Sequence, residues 1–122
     1  MTPSAPGRCT ILLSILGTLC GCHSYRIDAT VENRTGTTIE LLEVDYPSAS
    51  FGSDHLAAGA EYHYRFQVRG NGPVKVQYTE SASHQVRQTS GPEISELQEG
   101  RLEIVLLPGG KVDFYPNLTP ER

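Results

Sequence analysis

Residues 61–69 read Glu61-Tyr62-His63-Tyr64-Arg65-Phe66-Gln67-Val68-Arg69, and polar and apolar side chains alternate through them without a break. A period of two is the spacing of a strand with one face in a core and the other in water. Gly70-Asn71-Gly72 follow as a turn. Val74, Val76 and Tyr78 then carry the apolar face into a further strand, so residues 61–78 read as a hairpin.

The same reading extends outward in both directions. Tyr25, Ile27, Ala29 and Val31 alternate with Arg26, Asp28, Thr30 and Glu32, which is a first strand. Arg34-Thr35-Gly36 turn the chain, and Thr37–Tyr46 forms a second strand, expected to pair with the first. A weaker strand is expected over His84–Thr89. Leu102, Ile104 and Leu106 mark another, which Pro108-Gly109-Gly110 turn back into Val112 and Phe114. Residues 92–99 carry the only helical pattern. Ser90 is placed to cap it, Ile94 and Leu97 are three apart, and Gly100 is placed to end it. Residues 47–59 and 90–100 are left as longer connections. Seven short strands and three hairpins predict an all-β fold, a small antiparallel β-sandwich over residues 25–116 with a tail at 117–122. The strand count and size resemble an immunoglobulin-like sandwich, without the Cys…Trp…Cys core of antibody domains; a small barrel is the alternative.

The chain has 122 residues, 20% charged and 38% apolar, with a net charge of −4. That suits one folded domain and gives no basic footprint for nucleic acid. The first ten residues carry one charge, Arg8, and Ile11–Leu19 is an apolar run. It is too short to span a bilayer, which takes about 20 residues, and it has the length of a signal-peptide core.

Leu19-Cys20-Gly21-Cys22 closes this run. The order of basic segment, short apolar core and this tetrapeptide resembles the signal peptide and lipobox of bacterial lipoproteins, with Cys20 where Ala, Ser or Thr is commoner. The resemblance implies cleavage before Cys22, a signal peptide at 1–21, a lipidated tether at 22–24, and palmitate-type acyl chains on Cys22 as the membrane anchor. Cys9 and Cys20 would leave with the signal, so the mature domain would hold no free thiol. Arg8 would leave too, taking the net charge to −5. His23, rather than Asp, after the acylated Cys implies the outer membrane, facing the periplasm. An unlipidated secreted protein is the competing reading.

Little in the mature chain points to chemistry. His23, His55, His63 and His84 do not stand at ligand spacing, and zinc needs three or four converging ligands, so no metal and no cofactor is expected. Asp54-His55 near Ser50 and Ser53 lacks the geometry of a triad and has no Gly-x-Ser-x-Gly elbow. Glu93, Glu96, Glu99 and Glu103 read as a solvated acidic edge. Asn33 and Asn117 begin Asn-x-Thr sequons, which matter only in a glycosylating host. Tyr62, Tyr64 and Tyr78 share the phase of Phe66 and Val76 and are expected in the core. The expected function is binding or scaffolding in the cell envelope, with no enzymatic activity and an envelope protein or glycan as partner. The segment 47–55, with Phe51, Asp54 and His55, is the expected partner contact, unless Phe51 plugs the core. The rival reading is a small hydrolase or metal-binding protein using His55 or His63.

Overall fold

The computed structural model describes residues 23–121. The expected signal peptide at 1–21 and the expected lipidation site, Cys22, lie outside the described residues. The described residues form eight strands, β1 (Ile27–Asn33), β2 (Ile39–Tyr46), β3 (Ala49–Leu56), β4 (Glu61–Phe66), β5 (Asn71–Glu80), β6 (Val86–Ser95), β7 (Glu99–Leu106) and β8 (Val112–Thr119). They form two four-stranded sheets in the orders β4-β1-β7-β8 and β3-β2-β5-β6. The fold is an all-β sandwich, compatible with an immunoglobulin-like architecture.

The alternation that identified the strands also packs them. Ile27, Ala29, Val31, Leu102, Ile104, Leu106 and Phe66 from one sheet meet Ile39, Leu42, Val44, Val74, Val76 and Tyr78 from the other. Burying such side chains stabilises by about 1.5–3 kcal/mol each relative to exposure.

Several expectations are corrected. Among the described residues there are eight strands and not seven, because residues 49–56 are a strand and not a loop. Pro47 and Ser48 make a tight β2–β3 turn, with Ser48 at φ 90°. Residues 92–99 are not helical: β6 runs through Pro92 to Ser95, and Leu97, at φ 67°, turns the chain into β7. Pro92 is tolerated because β6 is an edge strand. Two of the three expected hairpins are absent from the described residues. β1 and β2, and likewise β4 and β5, lie in opposite sheets. The hairpins are β2–β3, β5–β6 and β7–β8. The sandwich is not wholly antiparallel either, since β1 runs parallel to β7 from Ile27↔Gly100 to Asn33↔Leu106. The first strand starts at Ile27 rather than Tyr25. The last runs to Thr119, with Leu118 buried, so residues 117–119 are not a tail.

Two irregularities shape the second sheet. Leu41, at φ 53°, is the extra residue of a bulge between β2 and β5. It shifts the inward phase, so that both Ile39 and Leu42 are buried while Leu41 is exposed. Gly52 lies so close to Leu42 that a Cβ there would overlap its carbonyl oxygen.

Asn33 ends β1 fully buried. Its Nδ2 donates to the carbonyls of Thr37 and Leu56 at 2.8 and 2.9 Å. Its Oδ1 accepts from the Thr35 amide and hydroxyl. This sequon asparagine is consumed by the fold. At the opposite end, Gln98 accepts from the Ser95 amide and donates to the Pro120 carbonyl, holding the β6–β7 turn to the end of β8.

Candidate functional site

The outward side chains of the first sheet form a grid set by its registers. One row crosses β4-β1-β7-β8 as Arg65, Asp28, Arg101 and Asn117. The next is His63, Thr30, Glu103 and Tyr115, and the third is Glu61, Glu32, Val105 and Asp113. The period of two places all these polar groups on one face because their neighbours in sequence fill the core.

Contacts between them fix several of these groups. Arg65 Nε donates to Asp28 Oδ1 at 2.9 Å. Thr30 Oγ1 lies 3.1 Å from His63 Nδ1, and Glu61 Oε1 lies 3.3 Å from His63 Nε2. Arg34 Nε lies 2.9 Å from Glu32 Oε2, and this hydrogen bond and the charge of Glu32 hold the guanidinium above its ordinary pKa. Tyr115 donates to Asp113 at 3.3 Å and keeps 54% of its surface exposed.

A shallow groove of about 760 Å³ crosses this face between Asp28, His63, Arg65, Arg101 and Tyr115. It continues into a second depression toward Arg26 and Glu99. Three guanidiniums, Arg26, Arg65 and Arg101, line it together with two carboxylates, Asp28 and Glu99. Among the described residues only Arg65 of the three is in an ion pair, with Asp28. That end of the groove has positive charge to spare, whereas the row of Glu61, Glu32 and Asp113 is acidic. The arrangement suits an extended polar ligand with an anionic group, with the Tyr115 ring as an apolar contact.

The residues singled out in the sequence are dispersed. Phe51 is 6% exposed and points inward. Its ring stacks on Tyr64 at 4.6 Å and lies 5.8 Å from Phe66, in an aromatic cluster that closes the sandwich between β3 and β4. It therefore fills the plug position. Asp54 and His55 are exposed on β3, and His55 Nδ1 lies 3.8 Å from Glu40 Oε2. Ser53 donates its hydroxyl to the His55 carbonyl at 2.9 Å. His63 lies on the grid and His23 beside Glu99 at 3.0 Å. Among the described residues no group of three or more His, Cys, Asp or Glu is placed to hold a metal ion. Of the tyrosines, Tyr78 is fully buried and Tyr62 partly so, but Tyr64 is 39% exposed because β4 is an edge strand.

Sequence reasoning missed Arg101 and Tyr115 because the neighbours that make them a site come from strands far apart in the chain. His63 and Arg65 were legible as one polar face of β4, but not the partners that β1, β7 and β8 bring to it.

No family model and no curated protein matches this chain. A solved structure, the NMR structure of a protein from Eubacterium rectale, is similar to it in fold. The TM-score is 0.56 at 11% identity, covering 83% of this chain and 100% of that one.

Proposed function

We propose that this protein is a bacterial envelope lipoprotein, anchored through acyl chains on Cys22, whose β-sandwich acts by binding or scaffolding and not by catalysis. The observation that carries the reading is Leu19-Cys20-Gly21-Cys22 at the end of a short apolar run. The start of the described chain supports it. His23 lies against Glu99, the His23 and Tyr25 rings are 4.4 Å apart, and the Gly100 amide donates to the Arg26 carbonyl. Residues 23–26 are thus already tied to the domain, and an anchor at Cys22 would hold that end of the sandwich against the headgroups. Two acyl chains or more give firm attachment where one does not. His23 after the anchor favours the outer membrane, facing the periplasm.

The partner, an envelope protein or glycan with anionic groups, docks in the groove of the first sheet, with Arg101 and Tyr115 as its contacts. Asp54 and His55 on the β3 edge are a second surface open to it. Metabolic labelling with palmitate tests the anchor: wild type takes up label and is processed, and Cys22→Ser remains an unlabelled precursor. Label on the Ser variant overturns the reading. Arg101→Glu and Tyr115→Ala then test the groove by loss of co-purifying partner from intact, labelled lipoprotein.

A further inference from the structure

The four sheet edges are not alike. β6 and β8, on one side of the sandwich, are interrupted by Pro92 and Pro116. β3 contains Gly52 and loses its alternation, with Phe51 and Leu56 both buried five residues apart. β4 has none of these devices. It pairs with β1 in an unbroken register over all six of its residues and has no proline, glycine or lysine. Such an edge is a template for another strand, and its outward charges, Glu61 and Arg65, are of opposite sign, so they select the partner strand.

The ladder shows which backbone groups are unused. The Asn33 amide donates to the Ala60 carbonyl at 3.0 Å, in register with the β1–β4 pairs. Hydrogen-bonded and non-hydrogen-bonded pairs alternate in an antiparallel ladder. Tyr62, Tyr64 and Phe66 therefore turn their N–H and C=O toward β1, and Glu61, His63 and Arg65 turn theirs to the open side.

We propose that β4 pairs antiparallel with β4 of a second copy of this chain, about a twofold axis at His63. This register sets His63 opposite its own copy and Glu61 opposite Arg65 twice over. All three outward amides and all three outward carbonyls of each copy then bond across the axis. Both cross-strand ion pairs have the favourable sign, whereas registers centred one residue to either side set His63 against Glu61 or against Arg65 and break the Glu–Arg match. Tyr64, exposed at this edge and stacked on Phe51, gains cover from the partner's Tyr62. The result is a closed, isologous dimer with one continuous eight-stranded sheet, and its polar grooves lie side by side. The proposal is independent of whether Cys22 carries lipid.

The test uses the full chain, with its cysteines reduced, in density-matched detergent. Sedimentation equilibrium is expected to show a monomer–dimer equilibrium between micromolar and near-millimolar protein. Glu61→Arg and Arg65→Glu each set like charges across the axis twice. Each is expected to weaken association by about tenfold or more, and the combined swap Glu61→Arg/Arg65→Glu is expected to restore it. Hydrogen exchange supplies a readout specific to the edge: the amides of Glu61, His63 and Arg65 should slow as concentration rises, while those of β3 do not change. A chain that stays monomeric throughout overturns the proposal. So does a dimer that leaves those three amides unprotected, or one that both single reversals leave intact in variants whose circular dichroism is unchanged.

Discussion

Asn33 Nδ2 donates to the Leu56 carbonyl oxygen across 2.9 Å and so joins the end of β1 in one sheet to the end of β3 in the other. The same side chain holds the intervening turn through Thr35 and Thr37. Asn33→Ala takes the side-chain donor from the Leu56 carbonyl and the side-chain acceptor from the Thr35 amide, at roughly 1–3 kcal/mol for each group left unsatisfied. The expected loss is about 3 kcal/mol, read by denaturant unfolding. Asn33→Asp is the sharper variant, because it sets a carboxylate where Nδ2 faced two carbonyls. It should be less stable than the Ala variant at neutral pH and recover as acid protonates it.

Phe51 is a packing residue at the β3–β4 opening. Phe51→Ala is expected to lower stability by about 3–5 kcal/mol, as for other buried phenylalanines. Asp54→Ala and His55→Ala, on the exposed part of the same strand, should stay within about 0.5 kcal/mol of wild type. Thermal or urea unfolding of the three variants separates the plug from the open surface.

Tyr78 is fully buried in the core, and among the described residues its hydroxyl has no hydrogen-bond partner. Burial, with the charge of Glu80 beside it, pushes its phenol above the ordinary tyrosine range. Tyr78→Phe removes an unpaired polar atom and keeps the ring, so a gain of about 1 kcal/mol is expected. Wild type should also lose stability as pH rises through the raised phenol pKa, because the fold favours the neutral form. The Phe variant should lose less in an alkaline unfolding series.

Glu80 anchors the β5–β6 turn. Ser83 donates to its Oε1 at 2.9 Å and Arg87 Nε to its Oε2 at 3.1 Å. These bonds, Ser83 first, hold the carboxylate below its ordinary value of 4.5. Their contribution is complete above that value and is lost as pH falls through the depressed one. Glu80→Gln should therefore flatten the acid limb of the stability curve, measured by urea midpoints across that range.

The strands legible in the sequence were those whose core positions alternate: Ile27-Ala29-Val31, Val74-Val76-Tyr78 and Leu102-Ile104-Leu106. β3 was hidden because Ser50, Gly52, Ser53 and Asp54 are poor strand formers, and its inward residues Phe51 and Leu56 fall out of phase. β6 was misread because Ile94 and Leu97, three apart, imitate a helix face, when Leu97 in fact occupies a left-handed turn. Sheet membership was not legible. A short turn between two alternating runs reads as a hairpin, yet Arg34-Thr35-Gly36 and the segment after Phe66 carry the chain across the sandwich, with Asn33 and buried Val68 at the crossings. The groove depended on that partnering. Arg65 and Arg101 flank Asp28 only because β1 sits between β4 and β7.

The parallel pairing of β1 with β7 sets an order of events in synthesis. β1 is an inner strand, and one of its two neighbours consists of residues 99–106 of a 122-residue chain. A chain emerging from its amino terminus can form the β2–β3 hairpin and lay β4 against β1 early, but the other flank of β1 stays open until most of the polypeptide has appeared. Such distant partners make folding slow relative to local pairing, and an unpaired inner strand is exposed for that whole interval. Nascent chains stalled before residue 99 should therefore remain protease-sensitive throughout the first sheet, and resistance should arrive in one late step rather than strand by strand.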